Sequence, residues 1–233
     1  MPKAGRAVTI LNVVTAVMML IAIGMVFFYA PQEKTMGEVQ RIFYFHVPSA
    51  WLSFTAFAIT AVAGGIYLAT GKQFWDQVAY SSVEVGLVLT VMATMSGSIW
   101  ARPAWNTWWT WDPRLTTYTI MALIYVAYLM LRQGIEDPQR RARFAAVYGI
   151  IGVISVPLTF FSIRWWRTIH PVVIGNGSAS SEGGFDMTAR MLQTFLFANL
   201  AFTFLYVALL VSRVRLARLG ERVEELKARL LTA

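Results

Sequence analysis

Apolar residues in this chain of 233 residues fall into six long runs separated by short polar stretches. The runs cover residues 8–29, 49–69, 79–100, 116–131, 144–163 and 191–211. Each is close to the ~20 residues with which an α-helix crosses the ~30 Å hydrocarbon layer of a bilayer. The first run stands behind Lys3 and Arg6 and exceeds the core of about 7–15 residues typical of a cleaved signal peptide, so it reads as a retained span. The expected fold class is all-α, a polytopic membrane protein with six transmembrane helices. Pro157 inside the fifth run predicts a bend there. Beyond the sixth run, Leu216, Leu219, Val223, Leu226 and Leu230 recur at spacings of three and four, one apolar face of a short C-terminal helix that Gly220 weakens. Two units are expected: a six-helix membrane domain over 1–213 and a helical tail over 214–233.

Composition agrees with this pattern. With 57% hydrophobic and 14% charged residues and a mean hydropathy of +0.55, the chain lies in the membrane class and leaves no room for a sizeable soluble domain. The absence of cysteine excludes disulfides, thiolate metal sites, thiol redox chemistry and covalent haem attachment through Cys-x-x-Cys-His. The net charge of +8 is a topology signal, because Lys and Arg sit beside the apolar runs. The N-terminus, the 70–79 and 132–143 connections and the C-terminal tail hold 13 of the 20 basic residues, and the other three connections hold seven. Both termini are therefore expected to be cytoplasmic, with the polar stretches 31–47, 101–115 and 163–190 on the outer side. The last includes a Gly/Ser-rich segment, 175–184, expected to be flexible. Glu84, about 24 Å along the third helix from Trp100, belongs near the cytoplasmic end, where snorkelling or pairing with a neighbouring helix is favoured over a proton or entry path.

The outer stretches hold the chemistry. Residues 100–116 read Trp-Ala-Arg-Pro-Ala-Trp-Asn-Thr-Trp-Trp-Thr-Trp-Asp-Pro-Arg-Leu-Thr and contain Trp100, Trp105, Trp108, Trp109 and Trp111, five of the nine tryptophans. An aromatic belt would distribute such rings over both interfaces; Trp51 and Trp75 suit that role, but the clustered five do not. The only two histidines flank the run: His46 shortly before Pro48, in a setting that suits the first turn of a helix, and His170 after Trp165 and Trp166. Alone, each would read as a structural histidine. Together on one face they suggest a shared site.

No outer Ser or Cys nucleophile with a local base is apparent, and a catalytic zinc normally takes three protein ligands, so hydrolysis is not indicated. Haem suits the set. Its iron accepts two imidazoles, its macrocycle stacks on tryptophan, and its propionates require cations. Arg102 and Arg114, which flank the tryptophans, lead over Arg41, Arg164 and Arg167 for that role. Asp112 could cap a helix starting at Pro113, serve the haem site, or do both. Ligands on two separate segments could part when one moves, as a haem carrier requires.

The run Trp-x-x-Trp-Trp-x-Trp-Asp-x-Arg-Leu-Thr at 105–116, with Gly-Ser-x-Trp at 97–100 and one histidine on each side, resembles the haem-handling, Trp-rich (WWD-motif) membrane proteins of cytochrome c maturation. Size and six-span layout are most similar to the CcmC family. The resemblance implies that His46 and His170 are the axial ligands of a non-covalent haem b. It implies that Trp100, Trp105, Trp108, Trp109, Trp111, Asp112, Arg102 and Arg114 belong to the haem site. It also implies presentation of haem to the chaperone CcmE, partnership with the ABC-transporter subunits CcmA and CcmB and the small protein CcmD, and residence in the cell inner membrane with the site on the periplasmic side. A lyase-like role in attaching haem to a chaperone is the nearest it comes to enzymatic chemistry. Asn106 stands where the family commonly has glycine and Pro113 where it commonly has alanine; Asn tolerates a left-handed backbone and Pro suits position N1 of a helix.

Three other functions are weighed. A b-type electron-transfer subunit with haems at two depths needs four axial ligands. A solute transporter predicts ionisable groups or broken helices at mid-membrane, for which Glu84 and Pro157 are thin support. A cytochrome c synthase subunit of the wider family would be larger, with further histidines.

Overall fold

The structure, a computed structural model, describes residues 3–34, 36–171 and 187–231. The helices are α1 (Lys3–Gly24), α2 (Phe43–Thr70), α3 (Gln73–Trp105), α4 (Pro113–Gln133), α5 (Pro138–Gly152), α6 (Ser155–Trp165) and α7 (Ala189–Leu231). Six segments, with α5 and α6 counting as one, are long and apolar enough to cross a membrane. The all-α polytopic expectation is thereby met. The 175–184 segment lies outside the described residues.

Several helices run past the limits that hydropathy draws. α1 widens into a π-helical turn at Met25–Tyr29, and a 3-10 turn at Glu38–Ile42 leads directly into α2. His46 is therefore helical and not in a loop. α3 continues through Trp100 and Arg102 to Trp105, which reduces the non-helical part of the tryptophan run to residues 106–112. The fifth span breaks between Gly152 and Ser155. Pro157 has no N–H for the Val153 carbonyl four residues back, and Val156 N donates to that carbonyl instead at 3.0 Å. The C-terminal helix predicted from Leu216 onward is the direct continuation of the sixth span, running through Gly220.

α2 sits at the centre, against α3, α5 and α7. In lipid, apolar attraction between helices is lost, and close packing with interhelical hydrogen bonds must hold the bundle. Both are present. A Cβ at Gly86 of α3 would lie 2.9 Å from Ala56 Cβ of α2, so only glycine permits this approach. Phe57 stacks on Tyr125 with ring centroids 3.6 Å apart. Ser82 Oγ reaches Tyr206 Oη at 2.7 Å and Ser53 Oγ reaches Tyr118 Oη at 3.1 Å. Such bonds average about 0.6 kcal/mol each in membrane bundles, so they set register more than total stability.

Two ion pairs fasten the end remote from the histidines. Asp76, buried near the start of α3, takes a bidentate grip from Arg132 of α4 at 2.5 and 2.8 Å. Glu84 is held by Arg213 of α7 at 2.6 and 3.0 Å. The carboxylate within the third span thus has the cross-helix partner expected of it.

Candidate functional site

The first turn of α2 is anchored by Phe43 and Tyr44, which pack with Val26, Ala30, Phe195 and Ala198. That anchoring aims His46 at α3. His46 Nδ1 lies 2.9 Å from the Ala93 carbonyl and 3.2 Å from Ser96 Oγ. A carbonyl only accepts, so Nδ1 carries the proton and Nε2 keeps its lone pair. Directly beneath the ring is Gly97, where a Cβ would stand 2.8 Å from His46 Cε1.

His170 follows the extended residue Trp166, at which α6 ends. Its Nδ1 donates to the Pro171 carbonyl at 3.0 Å, and its backbone N–H donates to Thr168 Oγ1 at 3.1 Å. This imidazole too has its Nε2 lone pair free. Burial, with the Arg114 guanidinium and His46 nearby, pushes its pKa down to about 3, so the ring is neutral at physiological pH and able to ligate a metal.

The two imidazole centroids are 6.3 Å apart with their planes at 37°. Two rings binding one metal from opposite sides would have centroids about 6 Å apart, since each metal–nitrogen bond is about 2 Å and each nitrogen about 1 Å from its ring centre. Both line one cleft, partly open to the surroundings. Phe43, Val47, Ala50 and Phe54 give it an apolar floor, and Trp100, Trp105, Trp108 and Trp109 an aromatic wall. Trp100 Nε1 is buried and has no hydrogen-bond partner. Since a buried indole N–H normally finds an acceptor, this donor is available to a ligand. Among the described residues, no group of three or more His, Cys, Asp or Glu could hold a metal ion.

Charge at the cleft comes from Arg114 and Arg164. Arg114 donates to the Thr159 carbonyl at 2.5 Å and lies over the Phe54 ring, 5.4 Å from its centroid. The other arginines are placed differently. Arg102 donates to Asn106 O and Oδ1 at 2.7 and 2.6 Å and so closes the end of α3. Arg41 pairs with Glu38 and the Val26 carbonyl, and Arg167 is exposed outside the lining.

The loop itself is built as its residue types allow. Asn106 takes the left-handed conformation with φ 56°. Asp112 caps α4, accepting from Leu115 N at 2.9 Å, with Pro113 at the first helical position. Its second oxygen accepts from Thr168 Oγ1 at 2.6 Å. Trp111, 72% exposed, lies outside the lining and meets Trp109 edge-on. The structure therefore brings His46, His170, Trp100, Trp105, Trp108, Trp109 and Arg114 to one cleft, with Asp112 supporting it and Arg102 and Trp111 at its margin.

Sequence reasoning missed Gly97, Thr168 and the part Trp51 takes. Trp51 reads as a belt residue, yet it lines the cleft and meets Phe160 edge-on. Gly97 belongs to the Gly-Ser-x-Trp string, which was the available signal. Nothing in the sequence distinguishes Thr168 from other loop polar residues.

Comparison with known proteins yields the same assignment along the whole chain. The family model described as CcmC, Heme exporter protein C, matches residues 1–229. The chain is similar to Heme exporter protein C of Bradyrhizobium diazoefficiens, with 34% identity over 91% of this chain and 80% of the relative. For the Rhodobacter capsulatus protein of that name, identity is 32% over 93% and 89%. For the Escherichia coli K12 protein it is 33% over 70% of this chain and 65% of the relative, slightly under two thirds of that protein's length.

Proposed function

The chain belongs to the heme exporter protein C family, and from that premise we propose that it binds haem between His46 and His170 and delivers it for cytochrome c maturation. The observation that carries the reading is the pair of imidazoles 6.3 Å apart across one aromatic cleft. Each ring has its Nδ1 committed to a carbonyl, which fixes the tautomer that leaves Nε2 to the iron. The ligand in this reading is non-covalent haem b, with which the lack of cysteine is consistent.

The chain's own groups divide the work. His46, held in α2, is the fixed ligand. His170, on the segment after α6, is the ligand able to leave. Trp100, Trp105, Trp108 and Trp109 cover the macrocycle, and Arg114, with Arg102 at the margin, attracts the propionates. Trp108 and Trp111, 58% and 72% exposed, present the macrocycle edge to the chaperone CcmE. CcmA and CcmB, an ABC transporter pair, and CcmD complete the assembly in the inner membrane. Both termini are cytoplasmic and the cleft opens on the periplasmic side, as the basic residues favour.

Absorption spectroscopy of the purified chain tests this. The expected result is about one haem with a six-coordinate, low-spin spectrum, altered or depleted in His46→Ala and His170→Ala. A full complement with an unchanged spectrum in both variants sinks the ligand assignment. Trp108→Ala and Trp109→Ala are expected to impair transfer to CcmE more than ligation.

A further inference from the structure

Thr168 is buried among the loops, and its hydroxyl makes two bonds that nothing in the haem-ligand reading requires. The hydroxyl donates to Asp112 Oδ2 at 2.6 Å and accepts from the His170 backbone N–H at 3.1 Å. The other oxygen of Asp112 caps α4 at the end of the tryptophan-run loop. One hydroxyl thus joins the carboxylate that ends the tryptophan loop to the backbone of a ligand 58 positions further along the sequence.

We propose that Thr168 is a positioning residue that couples the tryptophan loop to His170, so that displacement of the loop is transmitted to the imidazole. The inference rests on the haem reading and specifies how release would be triggered. The directions of the bonds are fixed. A carboxylate can only accept, so the threonine proton points at Asp112, and its lone pairs are left to receive the His170 N–H. When the loop withdraws Asp112, the hydroxyl loses the acceptor that fixes its orientation, and the bond it accepts from the His170 N–H is no longer held in place. Among the described residues, no hydrogen bond joins the non-helical part of the loop, 106–112, to His46, whose Nδ1 partners belong to α3. The coupling is therefore one-sided, which selects His170 as the ligand that departs.

The test uses the full-length, haem-loaded chain in detergent with free imidazole as a competing ligand. Thr168→Val keeps the side-chain shape and removes the hydroxyl; it is expected to admit imidazole to the iron roughly tenfold more readily, the scale of one charge-assisted hydrogen bond. Thr168→Ser is expected to stay within about twofold of the parent. Asp112→Asn, which keeps an oxygen for the α4 cap, is expected to behave as Thr168→Val, and the double variant no worse than either single. In the haem-free chain, the His170 amide is expected to exchange hydrogen faster in Thr168→Val. Parent-like imidazole uptake in Thr168→Val, failure of Ser to rescue, additive effects in the double variant, or unchanged amide exchange would each overturn the coupling. His170→Ala separates this from the underlying reading: if it takes up imidazole no better than the parent, His170 is not a ligand and the haem assignment itself fails.

Discussion

Gly97 lies so close beneath His46 that one added methyl group would sit 2.8 Å from the imidazole Cε1 and 3.3 Å from Nδ1. The ring cannot retreat without giving up the Ala93 carbonyl and Ser96 hydroxyl that hold Nδ1. Gly97→Ala is expected to tilt His46 at a cost of about 1–3 kcal/mol, the usual range for overpacking. The readout is the haem spectrum, with loss of the low-spin form in a protein that still purifies folded. An unaltered spectrum would show that the ring has room to spare.

Arg114, one of two arginines at the cleft, donates to the Thr159 carbonyl. Arg114→Gln is expected to weaken haem binding about tenfold or more, as loss of a charged hydrogen bond would. The same variant is expected to bind the dimethyl ester of haem as well as the parent does. Equal weakening for haem and its ester would assign Arg114 to packing on Phe54 and Thr159 instead.

The two remote ion pairs should differ in weight. The Asp76 and Arg132 side chains are 3% and 10% exposed, and those of Glu84 and Arg213 are 25% and 39% exposed. Breaking the buried pair with Asp76→Asn is expected to cost about 3 kcal/mol. Glu84→Gln is expected to cost less, because that pair is the more exposed of the two. Thermal unfolding in detergent checks the order, and haem spectra should be unchanged in both variants.

His170 gives a pH signature in the haem-free chain. Its folded pKa of about 3 lies below the ordinary value of 6.5. The unfolded chain therefore binds more protons between these values, and this group's contribution to stability, present above pH 6.5, is lost as pH falls toward 3. Nitrogen-15 NMR of the labelled ring is expected to show no titration from pH 8 to about pH 5. A midpoint near 6.5 would mean that the ring is solvated.

The site was legible in the sequence where residue type alone limits the outcome. Asn106 adopts the left-handed backbone, Asp112 caps and Pro113 opens α4, all from local chemistry. The six spans follow from unbroken apolar length, and the two histidines from span parity. What was illegible depends on where a helix stops and on partners distant in sequence. The extension of α3 to Trp105 places Trp100 edge-on against Trp105 at 4.9 Å, a contact that hydropathy cannot register because both rings also suit an interfacial loop. Trp51 and Thr168 likewise take their roles from residues more than 50 positions away.

α7 runs unbroken for 43 residues, which at 1.5 Å per residue makes a rod about 64 Å long, roughly twice the hydrocarbon thickness. It is gripped by Glu84 and Gln77 at different heights of α3 and touches the π-turn of α1 through Tyr29, whose hydroxyl donates to Gln193 at 2.6 Å. Its ties at Gln193, Arg213 and Arg218 are spread over about 38 Å of that length, so a single unbroken helix is anchored over a distance greater than the hydrocarbon layer is thick.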